Sequence, residues 1–400
     1  MKTIELFAGA GGLALGTSQA GFSHELVLEW DRNACDTIRE NNSSGVISWP
    51  LYQGDVRDFD FCQFKGIDLL AGGPPCQPFS IGGKHRGYKD HRNLFPETVR
   101  AVRELQPKAI LIENVKGLLR ASFAKYFEYV ILQITHPELA PRKDENWQDH
   151  LARLERHHTR GKQKGLLYQV VFRRLNAANY GVPQRRERVF IVAFREDVQA
   201  KWAFPEPTHS QDTLLYQQWI TGEYWERHEV SKRLRPTIPV IHQNKLNRLR
   251  EHLFPPDLQP WQTVRDAIAD LPDPTKTNGK IPNHRFNPGA RAYGGHTGSP
   301  LDESAKTLKA GDHGVPGGEN MLAYPNGEVR YFTVRESARL QTFPDNYVFQ
   351  GSWTESMRQL GNAVPVALAR LLAANIRDGL NRGPMTEHRN YESRNTLQPA

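Results

Sequence analysis

The sequence predicts an α/β protein in which a doubly wound, largely parallel sheet carries a second, smaller and loop-rich domain. Three observations lead there. Apolar runs of strand length stand at residues 3–7, 25–28, 66–71 and 108–112, with longer stretches between them. The first run opens into Ala8-Gly9-Ala10-Gly11-Gly12, a turn that lets a nucleotide approach the backbone at a helix N-terminus. From about residue 205 the texture changes to prolines, histidines and aromatics without long periodic runs, while apolar residues persist. A chain of 400 residues also exceeds what one ordinary core organises.

Thr3-Ile4-Glu5-Leu6-Phe7 reads as the first strand, and residues 13–20 as the helix after the glycine turn. The turn meets the Gly-x-Gly-x-x-Gly/Ala pattern of a Rossmann-like fold. Tight strand–helix turns are also glycine-rich for packing, so the pattern alone is weak. Glu29 gives it weight: it ends the next strand, 20 positions after Gly9, where a carboxylate can hold both ribose hydroxyls of an adenosine. Trp30 beside it can stack on adenine, and Asp55 in Gly54-Asp55-Val56 ends a third turn. Such an adenosine pocket serves either a nicotinamide or a sulfonium cofactor.

The run at 66–71 leads into Gly72-Gly73-Pro74-Pro75-Cys76-Gln77-Pro78-Phe79-Ser80. Glycines and prolines stop the strand and stiffen the loop, presenting Cys76 past a strand's carboxyl end, where open α/β sheets keep their chemistry. Residues 80–93 are glycine-rich and basic, a mobile surface loop or one that closes over a phosphate backbone. The run at 108–112 ends in Glu113-Asn114-Val115, which puts a carboxylate level with Cys76 in the same cleft.

Residues 120–164 read as an insertion of helices and loop, in which Arg153, Arg156, His157, His158 and Arg160 make a solvated face and no metal site. Residues 170–176 and 189–194 are strands. Between them lies Gln184-Arg185-Arg186-Glu187-Arg188, whose alternation points Gln184, Arg186 and Arg188 to one face. In the second domain, Lys232-Arg233-Leu234-Arg235 is a charge cluster. Thr333-Val334-Arg335-Glu336 is a capping box for a short helix at 337–341. Gly361-Asn362-Ala363-Val364-Pro365 precedes an apolar-striped helix to about Leu380, buried through Val366, Leu368, Leu371 and Leu372. The residues after Asn381 are polar and read as a flexible tail at 385–400.

Composition narrows the class. Hydrophobic content of 38% and charged content of 24% suit a soluble globular protein, and no run reaches the length of a membrane span. The N-terminus starts directly into a strand and not into a signal peptide. Cys35, Cys62 and Cys76 give no disulfide framework and no metal-ligand spacing, so the expected home is a reducing cytoplasm. A formal charge of +8 and a pI near 9.3 fit a polyanionic partner.

Taken in order, these motifs resemble those of the bacterial cytosine-carbon-5 DNA methyltransferases of restriction–modification systems. The match runs through Phe7-Ala8-Gly9-Ala10-Gly11-Gly12, Glu29-Trp30-Asp31, Gly54-Asp55-Val56, Pro74-Pro75-Cys76-Gln77 and Glu113-Asn114-Val115. It continues through Gln184-Arg185-Arg186-Glu187-Arg188, Arg335-Glu336 with Gln341-Thr342-Phe343-Pro344, and Gln359-Leu360-Gly361-Asn362. The resemblance implies a Rossmann-like, S-adenosylmethionine-dependent methyltransferase sheet at 1–204 and 356–384, and a target-recognition domain at 205–355. It implies S-adenosyl-L-methionine as cofactor, no metal, duplex DNA as partner, a monomer, no membrane association and a companion restriction endonuclease.

The resemblance also assigns roles. Cys76 is the nucleophile, Glu113 the protonated carboxyl that hydrogen-bonds the cytosine, Arg188 the contact to the ring carbonyl, and Arg186 a neighbour of the thiol. Phe7 lies against adenine, with Gly9, Gly11, Gly12 and Val56 around the cofactor, Glu29 on the ribose and Asp55 on the adenine amino group. Leu94 and Asn362 take the remaining edge, although the loop before Leu94 is one residue shorter than in similar chains. The loop carrying Ser80, Lys84 and Arg92 closes on DNA, and Thr307 in Lys306-Thr307-Leu308 touches backbone near a flipped nucleotide. The chemistry agrees with this assignment: carbon 5 of cytosine becomes nucleophilic enough to take a methyl group only after a thiolate adds to carbon 6. A nicotinamide oxidoreductase would explain the glycine turn but not Cys76, Glu113 and Arg188 at three strand ends. An amino-methylating DNA enzyme would lack the cysteine, a transfer-RNA methyltransferase would not need the long second domain, and a non-catalytic DNA-binding relative would have lost Cys76 or Glu113.

Overall fold

The computed structural model describes residues 1–75, 93–161, 165–252, 254–276, 279–310 and 320–382. Cys76, Ser80, Lys84, Arg92, the glycine-rich run after Lys309 and the tail at 385–400 lie outside the described residues. Seven strands form one sheet: β1 (Lys2–Leu6), β2 (Ser23–Glu29), β3 (Leu51–Gln53), β4 (Leu69–Gly72), β5 (Ala109–Val115), β6 (Tyr168–Asn176) and β7 (Glu187–Arg195). Their order is β3-β2-β1-β4-β5-β7-β6. The first five pair in parallel, while β7 runs antiparallel to both β5 and β6. The fold is therefore the expected doubly wound α/β sheet, with an antiparallel hairpin closing one side.

Period-two alternation places the sheet's two faces in separate cores. Ile4, Leu6, Leu70, Ile110, Ile112, Val189 and Ile191 face one core, and Leu69, Ala71, Ala109, Leu111, Phe190 and Val192 the other. Helices α1 (Gly12–Gln19), α2 (Arg32–Ser43), α3 (Phe95–Leu105), α4 (Ala124–Thr135) and α5 (Trp147–Thr159) follow the strands. Helix α3 buries Val99, Val102 and Leu105 on the first face. The expected insertion carries the helices α4 and α5, but it is no mere appendage: Tyr126, Tyr129, Val130, Leu151 and Leu154 belong to the same core. Its polar residues are also partly inward. Arg153 is held by Glu145 at 2.7 Å and by the Ala140 carbonyl, and His158 Nδ1 lies 3.0 Å from Nε2 of buried His136.

The second region carries short elements: β8 (His209–Ser210), α6 (Gln211–Tyr216), α7 (Glu223–Arg227), α8 (Val240–Glu251), β9 (Gln259–Pro260), α9 (Val264–Ile268), β10 (Ser299–Pro300), β11 (Met321–Ala323) and β12 (Val329–Tyr331). Helices α10 (Val334–Leu340), α11 (Trp353–Asn362) and α12 (Val366–Arg382) complete the chain. The capping box is present, with Thr333 and Glu336 bonding reciprocally. The helix it opens starts at Val334, because an N-cap at Thr333 makes the next residue the first helical one; the expected start at Ser337 was three positions late.

Hydrophobic packing crosses the expected boundary at 355. Val264, Leu308, Phe332, Leu340, Phe343, Tyr347 and Phe349 share one cluster with Ala10, Ala14, Val27 and Ile38. Only α6 to α8 have small clusters of their own, around Tyr224 and Trp225 and around Leu215, Leu246 and Leu249.

Helix α12 buries Val366, Leu368 and Leu372 against α1, with Leu371 half-buried. The approach is close enough to need a glycine: a Cβ on Gly16 would lie 2.4 Å from Ala369 Cβ and 2.7 Å from the Arg370 nitrogen. Replacing a mid-helix glycine by alanine normally gains about 1 kcal/mol, but overpacking costs about 1–3 kcal/mol. Gly16→Ala is therefore expected to lower the thermal midpoint by a few degrees, measured by circular dichroism, whereas a raised midpoint would show that the helices separate freely.

Candidate active site

The site begins where β1 and β2 end. Phe7, half-buried, takes a left-handed φ of 57°, a strained value for a bulky residue that turns the chain sharply out of the strand. Glu29 then ties the turn together. Its Oε2 accepts the Gly9 N–H at 2.7 Å, and its Oε1 accepts those of Trp30 at 2.9 Å and Asp31 at 2.8 Å. Each carboxylate oxygen has two lone pairs, so Oε1 is filled and one lone pair of Oε2 remains for a ligand hydroxyl. Burial pushes the Glu29 carboxyl up, against the three backbone donors that pull it down.

The predicted cofactor residues divide into two groups. A Cβ on Gly9 would meet no atom within 4 Å, so the backbone there borders open space. Trp30 is 73% exposed, a bare aromatic face beside Glu29. Gly11 and Gly12 instead answer to packing: added Cβ atoms would strike the Trp49 ring at 2.5 Å and the Val364 carbonyl at 2.4 Å. Tyr347 reinforces the turn from the far end of the chain, its hydroxyl donating to the Ala10 carbonyl at 2.7 Å. Val56 and Leu94 pack their side chains in or against the main core. Asp55 is already gripped by Arg57, whose Nε lies 2.9 Å and 3.0 Å from its two oxygens and whose guanidinium lowers its pKa. Asn362, the last residue of α11, is exposed.

On the other side of β1, β4 ends at Gly72 while β5 continues to Val115. Glu113 therefore lies inside a strand, not past its end, because antiparallel pairing with β7 extends the ladder beyond β4, with Glu113 opposite Phe190. The chain leading to Cys76 stays close: Asn114 Nδ2 donates to the Pro74 carbonyl at 3.1 Å, and a Cβ on Gly73 would sit 3.5 Å from Glu113 Oε2. Arg188 Nε lies 2.9 Å from Glu113 Oε1, but its N–H does not point along that line. The contact leaves Oε1 without a hydrogen bond among the described residues.

The arginine segment is bound on all sides. Gln184, fully buried, donates to the Leu340 carbonyl at 3.3 Å and accepts the Leu308 N–H at 3.0 Å. Thr307 donates its hydroxyl to the Arg185 carbonyl at 2.7 Å. Arg186 is buried, with Nη2 donating to the Gly361 carbonyl at 2.9 Å, Nη1 to Leu308 at 3.4 Å, and Nε unpartnered among the described residues. Burial, with the charge of Arg188, pulls its guanidinium well below the usual range. Gln184 and Arg186 thus do turn to one side, toward Leu308, while Arg188 reaches Glu113. Sequence reasoning missed Asn114, Tyr347, Trp49 and Arg57 as supports. Asn114 and Arg57 stand beside named motif residues, but Tyr347 and Trp49 are brought in only by tertiary packing.

A nucleotide-type turn, a buried carboxyl with an arginine against it and a proline-stiffened loop tied beside them define an α/β group-transfer enzyme. The chain belongs to the C-5 cytosine-specific DNA methylase family, whose sequence profile matches residues 1–136 and 150–378, and it is a DNA cytosine-5 methyltransferase. It is 33% identical over 388 residues to the type II methyltransferase M.PspPI of Psychrobacter sp. (strain TA137), covering 95% of this chain and 80% of the relative. It is 31% identical over 389 residues to type II methyltransferase M.NgoMIV of Neisseria gonorrhoeae, covering 95% and 98%. Among solved structures, the S. pombe Dnmt2 methyltransferase superposes with a TM-score of 0.54 at 17% identity, covering 95% of this chain and 99% of that one, a likeness of fold alone.

Glu29 has work to do without any ligand. Glu29→Ala strands three backbone N–H groups, and each buried unsatisfied donor costs about 1–3 kcal/mol. Allowing for water reaching part of the turn, the expected loss is about 2–4 kcal/mol in urea unfolding of the protein without cofactor. Wild-type stability for this variant would confine the carboxylate to ligand binding.

Proposed function

We propose that the protein methylates carbon 5 of a cytosine swung out of duplex DNA, using S-adenosylmethionine bound over the Gly9 turn and a covalent adduct through Cys76. The observation that carries this reading is the tether between the Cys76 loop and the Glu113–Arg188 pair, through Asn114 Nδ2 and the Pro74 carbonyl. The cofactor fits the residues present. Gly9 borders open space, Oε2 of Glu29 keeps one lone pair, and Trp30 offers an exposed ring face. When bound, S-adenosylmethionine supplies an electrophilic methyl group on a sulfonium sulfur.

The chain's own residues then do the following. A target base within the stack is out of reach and must be extruded. The Cys76 thiolate adds to carbon 6, turning the ring into an enamine whose carbon 5 is nucleophilic. Glu113 gives its proton to ring nitrogen 3 as that bond forms, and Arg188 steadies the ring carbonyl. Water removes the carbon-5 proton afterwards, and Cys76 leaves. Arg186 holds the segment beside the thiol through its bonds to the Gly361 and Leu308 carbonyls.

We assign site choice to residues 205–355 and cofactor and base chemistry to 1–204 with 356–384, Thr307 and the loop through Ser80, Lys84 and Arg92 touching DNA. The type II names of the relatives support pairing with a restriction endonuclease in a bacterial cytoplasm, and we take the enzyme to act as a monomer. No helix among the described residues is long and apolar enough to cross a membrane.

Two variants test the mechanism in a tritiated-methyl assay. Cys76→Ser is expected to show no measurable transfer while retaining cofactor and DNA binding, because a hydroxyl is far less ionised than a thiol. Glu113→Gln is expected to slow single-turnover transfer by roughly 100- to 10,000-fold with little change in binding, the usual span for a lost general acid. Near wild-type turnover from either variant removes that residue from the reaction.

A further inference from the structure

Helix α8 presents a surface that the catalytic reading leaves unexplained. Its 12 residues, Val240–Glu251, bury one stripe of His242, Leu246 and Leu249. Leu246 and Leu249 pack with Leu215, Trp219, Ile220 and Ile238. Lys245 on the flank ties the helix to α6 through Asp212 and Gln211. The opposite stripe is wholly exposed: Val240, Ile241, Asn244, Asn247, Arg248 and Glu251 share it by the three- and four-residue spacing of a helix. Val240 and Ile241 are 81% and 83% exposed, with none of the described residues covering them.

The chemistry of that stripe is specific. Asn244 and Arg248, one turn apart, have no hydrogen-bond or ion-pair partner among the described residues, while Asn247 is engaged by Arg250 at 3.3 Å. Between residues 230 and 250 the chain holds six basic residues (Lys232, Arg233, Arg235, Lys245, Arg248, Arg250) and no Asp or Glu, with Glu229 and Glu251 at its two ends. Amide and guanidinium side chains read adenine and guanine edges bidentately, and aliphatic side chains contact the thymine methyl. A helix about 18 Å long fits the DNA major groove. The inner face of α8 also shares a pocket with Arg185 and Glu303 through His242.

We propose that α8 is a base-reading helix that enters the major groove of the target DNA, with Asn244 and Arg248 as specificity-determining contacts. Lys232, Arg233 and Arg250 flank it as phosphate contacts, and Val240 and Ile241 lie against base methyl groups. This rests on the family's DNA substrate and goes beyond it by assigning the readout to a helix and to two residues.

The test is bisulfite sequencing of DNA from cells expressing the full-length protein and its variants. The wild-type map defines the recognition site; absence of any wild-type mark would count against the proposed function and not against α8. Asn244→Ala and Arg248→Ala, both at exposed positions, are checked for unchanged thermal melting. Each is then expected to relax the site at one base pair, with discrimination there falling about 10- to 100-fold. Lys232→Ala is expected to weaken methylation of all sites alike and to reduce the salt dependence of binding. A wild-type map from both Asn244→Ala and Arg248→Ala overturns the proposal and leaves the face to a protein partner. A uniform loss at every sequence also overturns it, as phosphate contact without readout.

Discussion

The arrangement of this enzyme depends on one buried cation. Among the described residues the Arg186 guanidinium has no carboxylate at hydrogen-bond distance; Nη2 and Nη1 donate to the carbonyls of Gly361 and Leu308, and Nε has no partner. A buried charge costs several kcal/mol unless its donors find partners. Its removal would release three segments at once: the lead-in to β7, the loop at 305–310, and the end of α11. Gln184 and Thr307 add bonds along the same seam. The residue expected to sit beside the thiol therefore joins α11 to the loop at 305–310.

The cofactor turn is built by a different logic. Phe7 carries backbone strain, and Glu29 compensates by collecting three N–H groups that would otherwise point into the turn. Trp49 and Tyr347 press on Gly11 from below, so the turn is set before any ligand arrives. Directly underneath, the Glu5 carboxyl is buried with no hydrogen bond to either oxygen among the described residues, 3.8 Å from His24 Nε2. Burial raises its pKa, which favours a neutral carboxyl there.

Stability is shared unevenly between the two halves. The sheet is buried on both faces, and residues 264–349 join the core that contains β2 and α1. Helices α6 to α8 rest on small clusters of their own. Few buried contacts favour local opening at low free-energy cost.

The sequence by itself determined six of the seven strands of the sheet, missing the short β3 at Leu51–Gln53, together with the glycine turn with Glu29, the capping box at Thr333 and the last helix. These rest on local rules: period-two apolar runs, backbone space at glycines, and the reach of one side chain to a nearby N–H. Family motifs in their order also made Glu113 and Arg188 legible as neighbours. Tertiary structure alone decided which glycines serve packing, since Trp49 and Val364 are distant in the chain from Gly11 and Gly12. It likewise decided that Glu113 lies within β5, because an antiparallel neighbour lengthens a strand beyond what its own residues declare. The exposed stripe of α8 and the inward turn of Arg186 belong to the same class. Whether a charged side chain faces water or a carbonyl is set by what packs against it, and short-range patterning carries no record of that neighbour.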